Sequence, residues 1–259
     1  MNSIIKEYDA FVFDLDGVVW KGLTPIEGAI DKINELIGEN KEVRFLTNNA
    51  TKTRRTTAKR IIDMGIKTKV EHVYTSGYAA ALYLNKNHPG SKIHVMGTTE
   101  LEEEIKAQDF KLVDRGADFV VAGLDKDFNY EKLNQAVQNI TQDGAKIIAC
   151  NMDASYPTED EFKPGAGSII TALIVASGKP TDVIIGKPSK TCYELILEEL
   201  DLPKPRCLMV GDKIQTDLLG ARQVGMSTCM VLSGVGCKSD LEEQNFYPEH
   251  VIDSVCCIA

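Results

Sequence analysis

The sequence contains no long hydrophobic run, and none of its apolar segments approaches the roughly 20 residues that a membrane-spanning helix needs. Residues 1–7 lack both the basic segment and the apolar stretch of a secretory signal peptide. Basic residues are also in deficit, with 29 against 38 acidic ones and a net charge of −9. Because this balance argues against a nucleic-acid surface or an anionic membrane, we expect a cytosolic protein that binds any anionic substrate through locally placed cations.

Several catalytic arrangements are missing as well. The seven cysteines include no C-x-x-C pair, so we expect most of them to be reduced core residues, with only Cys256 and Cys257 exposed. The chain has no glycine-rich Walker loop, and its four scattered histidines suggest neither a Ser-His-Asp nor a Cys-His arrangement. The chain also contains no tandem repeat short enough to indicate a solenoid. If the protein uses covalent catalysis, the nucleophile that remains among the usual types is a carboxylate.

The most informative segment present is the apolar run that ends at Phe13. Tyr8 to Phe13 predicts a short strand buried on both faces, because its residues do not alternate between polar and apolar. Asp14 and Asp16 follow at once, so they lie just past the carboxyl end of the strand, where ligands bind in open α/β sheets. Two such close carboxylates suit a shared hard cation such as Mg²⁺. The alternative is an ordinary polar turn, since Asp and Gly are common turn residues.

Three later segments show the same change from apolar to polar residues. The predicted strands 43–46, 183–185 and 208–210 end in Thr47-Asn48-Asn49, in Gly186-Lys187 and in Gly211-Asp212, and Asp217 follows the last of these. Taken singly, each set has a plain structural explanation as a loop, a helix cap or a solvated lysine. If the strands are parallel members of one sheet, however, acids and phosphate-binding groups meet at one edge, which is what phosphoryl transfer requires.

The domain organisation follows from the order of elements. The pattern Thr24-Pro-Ile-Glu27 resembles a capping box and predicts the start of the first long helix there. Strands and helices also alternate through residues 82–181, but without strand ends of comparable chemistry. We therefore predict an α/β protein whose Rossmann-like parallel-sheet core is formed by residues 1–81 and 182–259, with an α/β domain of residues 82–181 inserted into it.

Four motifs resemble those of the haloacid dehalogenase superfamily: DLDGV at 14–18, LTNN at 46–49, GKP at 186–188 and GDKIQTD at 211–217. The segments GLDKDFNYEKL at 123–133, NMDASYPTE at 151–159 and PGAG at 164–167 are similar to subfamily IIA, the NagD-like or 4-nitrophenylphosphatase-like branch. The resemblance covers essentially the whole chain. Lys213 stands where relatives usually have Arg or Asn and keeps the charge.

The resemblance implies a role for each matching residue. Asp14 would be the nucleophile that forms an aspartyl-phosphate, and Asp16 the acid that protonates the leaving oxygen and then activates water. Asp14, the backbone carbonyl of Asp16, and Asp212 would hold Mg²⁺, with Asp217 in support. The phosphoryl group would be bound by Thr47, Asn48, Asn49 and Lys187, and the inserted segment would be a cap domain.

The resemblance leaves the reaction's details open. A phosphotransferase or phosphomutase could use the same residues, and a dehalogenase or a non-catalytic regulator that binds phosphorylated metabolites fits them less well. The expected partners are a small phosphomonoester and, through the cap, a second copy of the chain. Within the segment 125–130, which matches the substrate loop of the branch, Lys126 and Asp127 are predicted to select the leaving group, whereas Asn129 is predicted to cap the next helix.

Overall fold

The computed structural model describes residues 3–158 and 161–259; Glu159, the last residue of the NMDASYPTE motif, lies outside them. The strands are β1 Ala10–Phe13, β2 Trp20–Lys21, β3 Thr24–Pro25, β4 Glu42–Thr47, β5 Val73–Thr75, β6 Lys92–Met96, β7 Lys111–Leu112, β8 Phe119–Ala122, β9 Lys146–Ala149, β10 Ser155–Pro157, β11 Phe162–Pro164, β12 Val183–Ile184, β13 Cys207–Gly211, β14 Ser227–Val231 and β15 His250–Ile252. The helices are α1 Ile4–Glu7, α2 Ala29–Gly38, α3 Arg54–Asp63, α4 Ser76–Asn87, α5 Thr99–Lys106, α6 Tyr130–Thr141, α7 Ala166–Ser177, α8 Lys190–Leu200, α9 Leu219–Gln223 and α10 Lys238–Glu243. No helix among these residues is long and apolar enough to cross a membrane.

One sheet has the strand order β15-β14-β13-β1-β4-β5, and β1 lies near its centre. Strand β1 pairs in parallel with both β13 and β4, and all of its residues are fully buried. A strand covered on both faces needs apolar side chains at successive positions, which explains the unbroken run that ends at Phe13. The predicted α/β fold with a central parallel sheet is confirmed.

The register of this sheet decides which side chains share its edge. Phe13 lies beside Val210 on one side and beside Phe45 on the other. Because the strands are parallel, the residues that follow these three positions leave the sheet on the same edge. Asp14, Thr47 and Asp212 are therefore placed at one edge by backbone pairing alone.

A second sheet has the order β12-β9-β8-β6-β7, and all of its pairs are parallel. The expectation that the strand before Lys187 belongs to the first sheet is wrong, because Val183 and Ile184 pair with Ile148 and Ala149. The side chain of Asp182 strengthens this pairing, since its Oδ2 accepts a hydrogen bond of 2.8 Å from the backbone N–H of Ile147. Lys187 is thus supplied by the loop that follows a strand of the second sheet.

The chain divides into two compact units. The first comprises residues 1–47, 55–74 and 187–259, and the second comprises residues 48–54 and 75–186. The insertion of residues 82–181 and its role as a cap remain predictions.

The predicted start of the first long helix is wrong. Thr24 and Pro25 form β3, which pairs antiparallel with Trp20 and Lys21, and α2 begins only at Ala29. Its N-cap is Gly28, which has φ +72°, a conformation that favours glycine. The capping-box pattern was misleading because pairing with β2 holds Thr24 in an extended conformation.

Candidate active site

Asp14, Asp212 and Asp217 form the carboxylate cluster. Each offers one oxygen atom, and these atoms lie within 4.8 Å of one another. Within residues 3–158 and 161–259, these three acids are the group whose side chains could together hold a metal ion. The carboxylate of Asp16 does not belong to this group. Carboxylate oxygens at this spacing suit a hard divalent cation.

Lys187 lies against two members of the carboxylate cluster. Its Nζ donates to Asp14 Oδ1 at 2.6 Å and to Asp217 Oδ1 at 2.7 Å. The lysine side chain is only 4% exposed, and Asp14 is the more accessible of the two acids at 12%. Among the described residues none donates a hydrogen bond to the other oxygen of Asp14, Oδ2. Lys187 therefore holds Asp14 through Oδ1.

The three acids of the carboxylate cluster carry more negative charge, when ionised, than the ammonium of Lys187 neutralises. Burial raises the pKa of Asp14 to about 8, with the charges of Asp217 and Asp212 adding to the effect and Lys187 opposing it. Burial and Asp217 also raise the pKa of Asp212 to about 6. Burial alone would lower the pKa of Lys187, but attraction to Asp14 and Asp217 raises it, so the ammonium stays charged. One ammonium faces three acids, so a divalent cation would bring Asp14 to its ionised form at neutral pH.

The surroundings of Asp212 fit such a cation. Its Oδ2 accepts a hydrogen bond of 2.8 Å from the backbone N–H of Val235, whereas its buried Oδ1 has no hydrogen-bond partner among the described residues. A buried carboxylate oxygen without a partner is costly unless something positive binds it. Glycines line this carboxylate: a Cβ at Gly17 would lie 2.5 Å from Oδ2, and one at Gly234 would overlap it. The residues present therefore fit a metal ion next to Asp212.

Asp217 accepts hydrogen bonds through both of its carboxylate oxygens. Its Oδ1 accepts from Lys187, and its Oδ2 accepts a 3.0 Å hydrogen bond from the backbone N–H of Lys213. The π-helical turn Ile214–Leu218 carries it, and the hydroxyl of Tyr193 donates to its carbonyl at 2.7 Å. Both carboxylate oxygens of Asp217 therefore accept hydrogen bonds, and its predicted role in support of the metal ion remains a prediction.

Asp16 is exposed and is held by a residue that the sequence analysis did not identify. The indole N–H of Trp20 donates to Asp16 Oδ1 at 2.8 Å, and Trp20 itself is only 2% exposed. The Arg60 guanidinium lies 4.0 Å from the centre of the indole ring and also donates to the carbonyl of Gly22. The sequence signal was the chain's single tryptophan, four residues after Asp16.

The residues of the LTNN motif do not all fall in the same compact unit. Thr47 is buried at the end of β4, on the edge shared with Asp14, whereas Asn48 and Asn49 are assigned to the second unit. There, the side-chain amide of Asn48 donates to Asp153 Oδ2 at 3.0 Å. Asn49 Oδ1 accepts from the backbone N–H of Thr51 at 2.8 Å, as in an Asx turn. The phosphoryl-binding roles of Thr47, Asn48 and Asn49 remain predictions.

Asp127 lies in the second unit beside a cavity of about 500 Å³, whose lining also includes Lys126 and His94. The loop is fixed by buried Asp125, which accepts from the backbone N–H of Asp127 at 2.9 Å and from Lys132 Nζ at 2.5 Å. Asn129 caps α6, with its side chain accepting from the Lys132 N–H, as predicted. Asp127 and Lys126 are therefore exposed side chains on a well-anchored loop.

Known sequences and structures match this arrangement closely. Residues 11–111 match the family described as haloacid dehalogenase-like hydrolase, and residues 184–257 match one described as HAD-hydrolase-like. An acid sugar phosphatase from Staphylococcus saprophyticus is 36% identical over 95% of both chains. The chain belongs to the haloacid dehalogenase-like hydrolases. The resemblance inferred from the four motifs is confirmed.

Solved structures of other hydrolases of this family share the fold over nearly the whole chain. A 4-nitrophenylphosphatase from Thermotoga maritima has a TM-score of 0.93 at 29% identity and covers 98% of this chain and 97% of its own. A structure described as a nagD protein has a TM-score of 0.87 at 30% identity and covers 94% of each chain. These two neighbours support the predicted NagD-like branch.

Proposed function

We propose that this hydrolase is a Mg²⁺-dependent phosphomonoesterase that acts on small phosphorylated metabolites through an aspartyl-phosphate. One observation carries the proposal: Asp14 is held by Lys187 through Oδ1, while Oδ2 remains available beside the carboxylate cluster. A nucleophile so oriented needs a neighbouring cation and a phosphate-binding group, and we assign these roles to residues of the same compact unit.

In the first half of the reaction, Asp14 Oδ2 attacks phosphorus and the bond between phosphorus and the leaving oxygen breaks. Asp16 gives its proton to that oxygen, so the alcohol leaves neutral. In the second half, Asp16 takes a proton from water as the water attacks phosphorus, and the bond between phosphorus and Asp14 breaks. Inorganic phosphate leaves, and both aspartates return to their starting protonation states.

Lys187 contributes a fixed positive charge. Its contacts with Asp14 and Asp217 place the ammonium next to the attacking carboxylate, where phosphoryl oxygens would arrive. The hydroxyl of Thr47 lies on the same sheet edge and is proposed as a donor to those oxygens. Asp14, Asp212 and the backbone carbonyl of Asp16 would hold Mg²⁺, which supplies charge neutralisation for the phosphoryl group when bound.

The substrate class is proposed from the relatives. The curated relatives are named acid sugar phosphatases, and neighbouring structures are named p-nitrophenyl phosphatases. We propose sugar phosphates and related small phosphomonoesters as natural substrates, with aryl phosphates as usable reporters. Water is the proposed phosphoryl acceptor.

A phosphate-release assay on a panel of small phosphomonoesters tests the function, with Asp14→Asn as the matched variant. Asn has the same shape but is not a competent nucleophile, so turnover should fall by at least about a thousandfold while thermal unfolding stays cooperative. Turnover should also require Mg²⁺ and stop in EDTA. Normal turnover by Asp14→Asn would exclude the covalent mechanism.

Selection among leaving groups is proposed for Asp127 and Lys126. The groups around Asp14 contact only what all phosphomonoesters share, so discrimination has to come from other residues. Asp127→Ala should change the ranking of substrates in the panel while leaving turnover of a generic aryl phosphate nearly unchanged. Exposed Glu131→Ala, on the first turn of α6, is the control. A uniform effect on all substrates would assign specificity to other residues.

A further inference from the structure

Cys256 and Cys257 are adjacent, exposed thiols outside the active site. Their Sγ atoms lie 3.8 Å apart. Both belong to the short 3-10 turn Val255–Cys257, which follows β15. The predicted exposure of this pair is confirmed, although Cys237 is exposed as well, which the sequence analysis did not predict.

The turn that carries these thiols is anchored at both ends. Val255 and Ile258 on either side of the pair are fully buried in the core of the first unit. The backbone N–H of Cys257 donates to the Ser254 carbonyl at 3.0 Å. Cys256 also packs closely on Gly28, where an added Cβ would lie 2.8 Å from the cysteine Cβ. The two cysteines are therefore carried by an anchored turn, and with that backbone fixed the separation of the thiols depends only on their side-chain rotamers.

For these two thiols, oxidation to a disulfide is less favourable than binding a shared metal ion. Adjacent Cα atoms are about 3.8 Å apart, below the range of about 4.4–6.8 Å that unstrained disulfides span. Chelation fits better, because two thiolates bound at about 2.3 Å to one tetrahedral ion are separated by about 3.8 Å. The observed separation of 3.8 Å agrees with that geometry.

We propose that Cys256 and Cys257 chelate one tetrahedral, thiophilic cation of the zinc class, with solvent completing its coordination. The Ser254 hydroxyl lies 2.9 Å from Cys256 Sγ and stabilises the thiolate or joins the ligands. The buried thiols do not compete for the ion, because burial raises the pKa of Cys150, Cys192 and Cys229 to about 12. The site is independent of the proposed phosphatase reaction.

Cadmium is a suitable probe, because thiolate ligands give it an ultraviolet charge-transfer absorption that oxygen ligands do not. The full chain is titrated with Cd²⁺ in excess Mg²⁺, so that the carboxylate cluster holds the harder ion. We expect saturation at one Cd²⁺ per chain and loss of the absorption when EDTA removes the ion. Cys256→Ser and Cys257→Ser should each weaken binding at least about tenfold.

Cys237→Ser is the matched control, since it removes an exposed thiol that has no neighbouring cysteine in the sequence. It should bind Cd²⁺ like the unchanged protein, and thermal unfolding in EDTA should show that all three variants are folded. The proposal is overturned if absorption survives in Cys256→Ser, if Cys237→Ser loses it equally, or if one ion saturates two chains.

Discussion

Trp20 determines how Asp16 is presented. Its indole N–H occupies Asp16 Oδ1, so Oδ2 is the oxygen left to carry the proton that the leaving group needs. Arg60 lies over the indole ring, and this cation–π contact helps to hold the ring in place. Trp20 is therefore a positioning residue for the proposed acid.

Trp20→Phe keeps an aromatic ring in the buried position but removes the donor. The kcat/KM of alkyl phosphates, whose leaving oxygen needs a proton, should fall by about tenfold or more, while that of p-nitrophenyl phosphate should be nearly unaffected. The ratio of the two kcat/KM values is the measurement, because kcat/KM covers only the first half of the reaction and excludes the hydrolysis step that both substrates share. An equal loss on both would mean that Trp20 is needed only for packing.

Lys187 contacts Asp14 and Asp217, and we predict both a structural and a catalytic role for it. Lys187→Ala removes the cation that faces the transferring group, a loss of about 3 kcal/mol in transition-state stabilisation by analogy with other single-donor deletions. It also leaves Asp14 and Asp217 without their ammonium partner, so the metal-free protein should lose stability.

Kinetics and thermal unfolding of Lys187→Ala and Lys187→Arg, each with Mg²⁺ and with EDTA, separate these two roles. Arg should restore part of the stability but less of the turnover, because a planar fork replaces a compact ammonium. Near-normal turnover of Lys187→Ala would contradict the proposed contact with the phosphoryl group.

At the scale of elements, the loop after β14 completes the pocket around Asp212. Gly234 has to be glycine because a Cβ there would overlap the Asp212 carboxylate. Gly234→Ala should displace this carboxylate and weaken the affinity for Mg²⁺ by at least about tenfold, a cost near 1.4 kcal/mol.

The control for Gly234→Ala is Gly38→Ala at the end of α2. Apart from its chain neighbours and the backbone of its own helix, no described atom lies within 4 Å of a Cβ built at Gly38, so that variant should bind Mg²⁺ normally. Isothermal titration with Mg²⁺ compares the two. Unchanged affinity in Gly234→Ala would mean that Asp212 does not hold the ion.

At the scale of the whole molecule, the carboxylate cluster links stability to pH and to metal. Burial first, and then the neighbouring acids, raise the pKa of Asp14 from 3.8 to about 8. Between these values the folded state holds a proton that the unfolded chain has lost, so stability falls as pH rises. In EDTA, the free energy of unfolding should therefore contain a contribution that decreases from about pH 4 to about pH 8.

Mg²⁺ should reverse this trend, because it binds the ionised folded state and stabilises it by about 2.7 kcal/mol at one hundred times its Kd. Thermal unfolding across this pH range, with Mg²⁺ and with EDTA, measures both effects. Asp14→Asn should remove the decrease between about pH 6 and pH 8, whereas the part due to Asp212, whose pKa is raised to about 6, should persist below pH 6. A decrease between pH 6 and pH 8 that persists in the variant would assign it to other groups.

Local sequence determined the chemistry of the strand ends, since the change from apolar to polar residues at Phe13, Leu46 and Val210 is visible in the chain itself. Burial on both faces requires continuous apolar strands, whereas the carboxylates and hydroxyl just past the strand ends are stabilised by hydrogen bonds and by charge. The parallel α/β fold and the family motifs followed from these patterns.

Tertiary structure alone decided which sheet Val183 and Ile184 join, that Thr24 pairs as a strand instead of capping a helix, and that the indole of Trp20 bonds to Asp16. Short apolar runs have the same appearance in either sheet, because strand pairing is selected by partners distant in the chain. The 3.8 Å separation of the Cys256 and Cys257 thiols likewise depends on side-chain rotamers and on a turn anchored by Val255 and Ile258. Residue order specifies which groups are available, whereas packing decides which of them meet.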